Sequence, residues 1–356
     1  MRTFIAVCLS VLLIGAVTRP IHAAEFTPGG DEIMGCDLTM RGKVTSGDSD
    51  RARALITKLR SAEADALGDP IESVSMVICL DSPGGSLHEG LEMARLFHET
   101  QTVTAVGRDR LCASACAVAF LGGTMNTYYE DTGKDGGKLR RLMHPTARLG
   151  FHAPRLVLDD GTYDAETVQY AYALALRDLA RMQALKGEFY ITDALMGVFL
   201  DTPPESMTYL ETVEQSALWH IQVVPTISPD DLTVGLVENM CENMNLAAPK
   251  AAGGAALLRP ELTQKDITVH DADPDDAYVF VRVDESYRYP GQVECSFGWE
   301  PLTMDHRPIS MLNGTLEIFM DLPYAWFAAP QTPVRALARK DDRSDEPRDF
   351  LSLPRR

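Results

Sequence analysis

Residues 73–86 read SVSMVICLDSPGGS. Ser73 to Leu80 is short and almost continuously apolar, which suits a strand buried on both faces of a parallel sheet. Asp81-Ser82-Pro83-Gly84-Gly85-Ser86 then forms a tight loop. Leu87 to Thr100 follows with Leu87, Leu91, Ala94, Leu96 and Phe97 at helical spacing, so an amphipathic helix is expected there. Thr102 to Val106 predicts the next strand. Cys112 to Leu121 predicts a helix of small residues closed by Gly122-Gly123. The order strand, loop, helix, strand, helix predicts an α/β fold in which helices cover a parallel sheet.

Outward from this unit, Thr39 to Thr45 predicts a strand. Gly47-Asp48-Ser49-Asp50 predicts the cap of a helix over 51–66, because an acidic or hydroxyl side chain accepts from the free amides of a first turn. On the other side, Thr124 to Pro145 carries KDGGK at 134–138 and reads as an exposed insertion. Arg148 to His152 predicts a short strand. Asp164 to Lys186 predicts a long helix and Tyr190 to Leu200 another, with a turn starting at Thr202-Pro203-Pro204-Glu205. The main domain is therefore placed at 24–225. A smaller C-terminal α+β or β-containing extension is expected at 226–339, with a linker at 248–260 and alternation at Ala277 to Val283. The charged, proline-punctuated end, 340–356, reads as a disordered tail.

Met1-Arg2 followed by the apolar run Phe4 to Val17 and the small residues Ala23-Ala24 predicts a cleaved signal peptide over 1–23. The run is too short to span a bilayer comfortably. A periplasmic or secreted location follows. The net charge is −18, and a surface this acidic repels nucleic acid and anionic lipid, so neither is expected as a partner. Beyond the leader stand Cys36, Cys79, Cys112, Cys116, Cys241 and Cys295. An even number in an exported chain suggests at least one disulfide, against a reading as buried free thiols; six cysteines allow fifteen pairings that sequence alone does not decide, and Cys241–Cys295 and Cys112–Cys116 are the candidate pairs. There is no CxxC and no Cys/His array at zinc spacing, so no metal is expected. His88, His98 and His144 read as surface or packing residues.

Three segments carry possible chemistry. In DSPGG, two glycines between a strand and a helix let the backbone turn sharply and present bare N–H groups. In Cys112-Ala113-Ser114-Ala115-Cys116-Ala117, Ser114 lies at a helix start between alanines that leave room for a substrate. In Gly150-Phe151-His152-Ala153-Pro154, an imidazole at a strand end could take a hydroxyl proton near neutral pH. Taken alone, each has a plain structural reading: a turn, a helix cap, a packed histidine.

In combination and in this order, the three segments over about 36–225 resemble the ClpP-class serine peptidases of the ClpP/crotonase superfamily, which include the Clp protease proteolytic subunit and signal peptide peptidase A. The resemblance implies Ser114 as nucleophile and His152 as base, then acid. It implies the N–H groups of Gly85 and Ala115 as oxyanion hole. Substrate would lie beside Gly84, Gly85 and Ser86 as an added strand. The serine-to-histidine spacing exceeds the family pattern, and 124–148 supplies the added length. The family's aspartate falls near Val198, with Asp193 and Asp201 close but out of register. Three possibilities follow: Asp201 substitutes, a Ser–His dyad operates, or the site has decayed into a binding or scaffold protein. The expected chemistry is hydrolysis of a peptide or protein without a cofactor. Acyl-CoA chemistry on the crotonase pattern is set aside, because an exported compartment should lack CoA. Self-association into a homo-oligomer is expected and an ATPase partner is not, since ATP is not supplied outside the cytosol.

Overall fold

A computed structural model describes residues 23–71, 74–125, 138–154, 161–226, 232–247, 262–271, 279–283, 295–299 and 323–338. The expected leader, save Ala23, the linker at 248–260 and the tail at 340–356 lie outside these residues.

In chain order the strands are β1 (Glu25–Pro28), β2 (Leu38–Arg41), β3 (Met76–Asp81), β4 (Thr102–Val106), β5 (Leu111–Ala113), β6 (Thr124–Met125), β7 (Lys138–Leu139), β8 (Arg141–Met143), β9 (Arg148–Phe151), β10 (Thr208–Tyr209), β11 (Gln222–Val223), β12 (Ile267–Asp271), β13 (Val279–Val283) and β14 (Ser296–Trp299). The α-helices are α1 (Asp48–Leu67), α2 (Leu87–Glu99), α3 (Ala115–Phe120), α4 (Ala165–Leu185), α5 (Asp193–Asp201), α6 (Val213–Leu218) and α7 (Val234–Ala247). The fold is thus mixed α/β around a largely parallel sheet.

The main sheet runs β1-β2-β3-β4-β8-β11. Only the β1–β2 pair is antiparallel; the others are parallel. The apolar run in β3 works as its pattern requires: Ile78 and Leu80 enter the core shared with α1, α2 and α3, while Val77 and Cys79 face a second cluster with Val103, Ala105 and Leu142. The two β4 threonines inside the sheet are satisfied. Thr104 Oγ1 donates to the Phe120 carbonyl at 2.7 Å, and Thr102 Oγ1 pairs with Thr100 Oγ1 at 2.8 Å. α1 is bounded by Gly47 and Gly68, both left-handed, and the Gly68 N–H closes the helix on the Ala64 carbonyl.

The second sheet is β10-β9-β5. It joins the first where β3 ends. Ser82 leaves the main sheet and pairs with Cys112, through Ser82 N to Leu111 O at 2.6 Å and Ala113 N to Ser82 O at 3.1 Å. β5 is parallel to β9, with Ala113 opposite Gly150.

Two segments differ from their sequence reading. The stretch expected as one helix over 112–121 is a strand, β5, then a turn at Ser114, then the shorter α3. The stretch expected as an exposed insertion over 124–145 contains β8, which is buried and sits between β4 and β11 in the main sheet. Residues 126–137 of that stretch lie outside the described ones.

The C-terminal part packs on the same core. Val281, Phe297, Trp326 and Val334 belong to the cluster that holds Leu38 and Ile78. Trp326 is fully buried and its indole N–H donates to Ser216 Oγ at 3.2 Å. Asn243 Nδ2 donates to the carbonyls of Trp326 and Ala328. β12, β13 and β14 form a separate antiparallel sheet.

Three disulfides are present: Cys36–Cys79, Cys112–Cys116 and Cys241–Cys295. Two are the expected pairs, and the first joins the remaining cysteines. They are consistent with export to an oxidising compartment. Among the described residues no helix is long and apolar enough to cross a membrane.

Candidate active site

The site lies where parallel strands end, the edge at which α/β sheets place their ligands. β5 stops at Ala113 and α3 starts at Ala115, so Ser114 carries the whole change of direction. Its backbone stands at φ 58°, ψ −126°. A non-glycine residue with positive φ costs on the order of 1–3 kcal/mol and persists only where its surroundings hold it. Here the Ser114 N–H donates to the Gly150 carbonyl at 3.0 Å, and the Ser114 carbonyl accepts from Val118 at 3.1 Å. Its side chain caps nothing, so the helix-cap reading of Ser114 is not what the geometry gives. The hydroxyl is half-buried rather than sealed in the core.

The close approach of backbone to backbone explains the small residues around it. A β-carbon on Gly84 would lie 2.6 Å from the Ala113 carbonyl oxygen, 2.6 Å from Ser114 Cβ and 3.0 Å from the Ala115 nitrogen. One on Gly90 would lie 2.5 Å from the Ala115 carbonyl oxygen. The DSPGG loop and the CASAC turn are therefore in contact, as their motif-level pairing anticipated.

Gly85 pairs with Val44 in a parallel bridge whose bonds are Val44 N to Gly84 O at 2.9 Å and Ser86 N to Val44 O at 3.0 Å. In such a ladder the peptide groups alternate. The N–H and C=O of Gly85 itself point away from Val44. Among the described residues neither the Gly85 N–H nor the Ala115 N–H is spent on an acceptor. Gly85 must be glycine: its φ is 153°, and a β-carbon would meet the Val44 carbonyl oxygen at 2.1 Å.

His152 follows β9 directly. Register places Ala113 opposite Gly150, so Ser114 stands level with Phe151 and His152 one residue beyond, at the end of the adjacent strand. Its Nδ1 lies 2.6 Å from the Ala153 carbonyl oxygen. A carbonyl only accepts, so Nδ1 is the donor in this pair and Nε2 is the ring nitrogen left for another partner. The Ala153 N–H in turn donates to the Thr202 carbonyl at 2.9 Å, fixing this short segment to the end of α5. Among the described residues no hydrogen bond joins the Ser114 hydroxyl to His152. Catalytic hydrogen bonds are often long before substrate binds.

Asp201 is the carboxylate expected behind the histidine. That residue is exposed at the C-terminal end of α5, and no hydrogen bond or ion pair ties it to His152 among the described residues. The acceptor on Nδ1 is a main-chain carbonyl, which leaves no mark in side-chain identity. Asp193 is paired with Lys186. Ser86, expected to touch substrate, spends its hydroxyl as the cap of α2, accepting from Glu89 N at 3.3 Å. The carbonyl of Gly84 is likewise committed, to Val44. The three histidines expected as packing or surface residues are so placed: His98 lies against Phe189, His144 is buried, and His88 sits near Arg181 and Asp178. No three His, Cys, Asp or Glu gather as a metal site among the described residues.

Cys112 and Cys116 close a bridge around Ser114. Neither is exposed, so neither competes with the serine as a surface nucleophile.

A scan of protein-family models and a search of curated proteins found no match to this chain.

Proposed function

We propose that this chain is an exported serine hydrolase of the ClpP/crotonase superfamily, acting on peptide or protein substrates with Ser114 as nucleophile and His152 as base. The observation that carries the reading is the backbone of Ser114. A strained serine at a strand-to-helix turn, facing the ends of parallel strands, is the device by which a nucleophile is lifted clear of its neighbours. Two unspent amides, and His152 at the end of the adjacent strand, support the same reading.

His152 Nε2 accepts the Ser114 proton as Oγ attacks the scissile carbonyl. The oxyanion takes hydrogen bonds from Gly85 and Ala115 N–H, whose donors are fixed before reaction and need no reorganisation. The imidazolium returns its proton to the departing amine. Water then attacks the acyl-serine by the same route. With the Gly85 N–H given to the oxyanion, its free C=O would accept from the substrate backbone laid beside the loop as an added strand.

The Ala153 carbonyl fixes the tautomer of His152 but, being neutral, stabilises its cation less than a carboxylate does. The arrangement is a Ser–His dyad with a main-chain orienter. That same observation favours a second reading, a binding protein that keeps the groove and has lost turnover. Fluorophosphonate labelling of the mature protein separates them. Labelling at Ser114 that Ser114→Ala and His152→Ala both abolish supports the hydrolase. No labelling of the folded, oxidised wild type supports the binding protein. Exposed Tyr170, Tyr172, Leu174 and Leu176 on α4 support self-association, which sedimentation equilibrium tests.

A further inference from the structure

The Cys112–Cys116 bridge is out of place as a general staple. The Cys36–Cys79 and Cys241–Cys295 bridges close long stretches of chain, with sequence separations of 43 and 54, whereas Cys112–Cys116 has a separation of 4. A bridge removes freedom from the unfolded chain in proportion to the logarithm of the loop it closes, so this one does least for global stability. Its ends instead sit two residues on either side of the strained serine.

The two anchor points differ in firmness. Cys112 is held in β5 between Leu149 and Ser82. Cys116 lies in α3, a helix of only 6 residues, too short to persist without support. Both are completely buried among close-packed neighbours. Two unbonded thiols cannot approach as closely as two bonded sulfurs, and the surrounding core offers no slack. The displacement on reduction falls on the weaker side, the turn that holds Ser114 at positive φ.

We infer that the Cys112–Cys116 disulfide is a positioning element for Ser114, so that the nucleophile is presented only in chains that have folded under oxidising conditions. The functional half of this statement rests on the hydrolase reading. Closure breaks two S–H bonds and forms one S–S bond. The two electrons and, net, the two protons go to a disulfide oxidant whose S–S bond breaks and which leaves as a dithiol, the reagent class of oxidising compartments. Burial of both sulfurs makes this a condition set at folding rather than a reversible surface switch.

The test compares the full mature chain with its Cys112→Ala/Cys116→Ala variant, using Cys36→Ala/Cys79→Ala as the control for general destabilisation. Amide exchange over 113–118 is expected to quicken at least ten-fold in the first variant, with exchange over 76–81 unchanged. The fluorophosphonate labelling rate per folded molecule is expected to fall at least ten-fold in the first variant and to hold in the control. An unchanged exchange ratio or an unchanged labelling ratio overturns the inference. If the wild type takes no label, the hydrolase reading fails by itself, and the exchange ratio alone decides whether the bridge positions the turn. Cys112→Val/Cys116→Ala, which restores volume, replaces the first variant if that does not fold. Failure of both to fold while the control folds also overturns the inference, because the bridge would then be a global staple.

Discussion

Gly84 packs on Ser114 with no room between them: a β-carbon on Gly84 would stand 2.6 Å from the Ser114 β-carbon and 2.6 Å from the Ala113 carbonyl oxygen. The first of the two loop glycines is therefore a floor under Ser114, and its own φ of 98° is in the left-handed range. The next glycine supplies the free amide. Two adjacent glycines thus serve different ends.

Gly84→Ala meets backbone atoms on one side and the serine on the other. Relaxation must move either the loop or the Ser114 turn. A loss of about 2–4 kcal/mol of stability is expected from strain and overpacking together. Labelling of Ser114 should fall by more than ten-fold even at temperatures where the variant remains folded. Denaturant unfolding and the probe reaction, run on the same sample, check both.

The acceptor beside His152 Nδ1 is the Ala153 carbonyl, and among the described residues Asp201 makes no hydrogen bond to the ring. Asp201→Asn is accordingly expected to leave the labelling rate within about two-fold of wild type, whereas loss of an aspartate that acts on the histidine costs orders of magnitude. His152→Ala should abolish labelling. A large loss in Asp201→Asn would show that the exposed carboxylate swings onto the ring when substrate binds.

Arg141 is fully buried, and among the described residues its Nε and Nη1 have no hydrogen-bond partner; Nη2 donates to the Phe189 carbonyl. Burial holds its pKa down to about 9. A buried cation left so poorly compensated is costly, and an apolar replacement of similar volume is often neutral or stabilising by about 1–4 kcal/mol. Arg141→Met is expected to be at least as stable as wild type, by up to about 2 kcal/mol, once the lost bond to Phe189 is counted. Urea unfolding with an unchanged slope is the measurement.

These residues also explain what the sequence could and could not disclose. β3, the DSPGG loop, α2 and β4 are legible because burial on both faces demands an unbroken apolar run and α2 carries its 3.6-residue period openly. β8 is not legible. Arg140 and Arg141 break its apolar character, so a central strand reads as surface chain. The division of 112–121 into a strand and a helix is hidden for the opposite reason: Cys and Ala carry no periodicity, and only tertiary contacts with Gly84, Gly90 and Gly150 set the turn. Ser114 and His152 stand in recognisable motifs, and the structure places them at the ends of adjacent strands. The acceptor beside the histidine ring leaves no mark in the sequence, since any residue offers a carbonyl, and that of Ala153 is the neighbouring residue's own, in a segment tied to Thr202.

Acid should weaken the fold through His98 and His220. Burial lowers the pKa of both, and the positive charge of Arg141 lowers each further, against the opposing pull of Glu188 on His98 and of the Ala247 carbonyl on His220. With folded pKa values below the unfolded value near 6.5, the unfolded chain binds more protons as pH drops. The stability they contribute is whole above that value and is lost as pH falls through it towards the folded values. The melting temperature is expected to drop between pH 7.5 and pH 5.5. In His220→Phe the drop should be shallower, whatever its absolute stability, and in Arg141→Met shallower as well. Equal slopes in all three proteins would place the acid sensitivity elsewhere.

The three bridges should separate stability from site geometry. Loop closure assigns about 4 kcal/mol each to Cys36–Cys79 and Cys241–Cys295 and about 2 kcal/mol to Cys112–Cys116. Cys36–Cys79 ties the segment ahead of β2 to the middle of β3, and Cys241–Cys295 ties α7 to the residue before β14. Replacing either pair by alanine is expected to lower the denaturant midpoint more than Cys112→Ala/Cys116→Ala does, with Ser114 labelling retained in the folded fraction. The short bridge should behave in the reverse way, with a small loss of midpoint and a large loss of labelling. If all three variants lose stability and labelling in the same proportion, the serine is simply reporting the folded population. If the ranking holds, the two long bridges stabilise the fold and the third stabilises a backbone conformation that the fold alone would let relax.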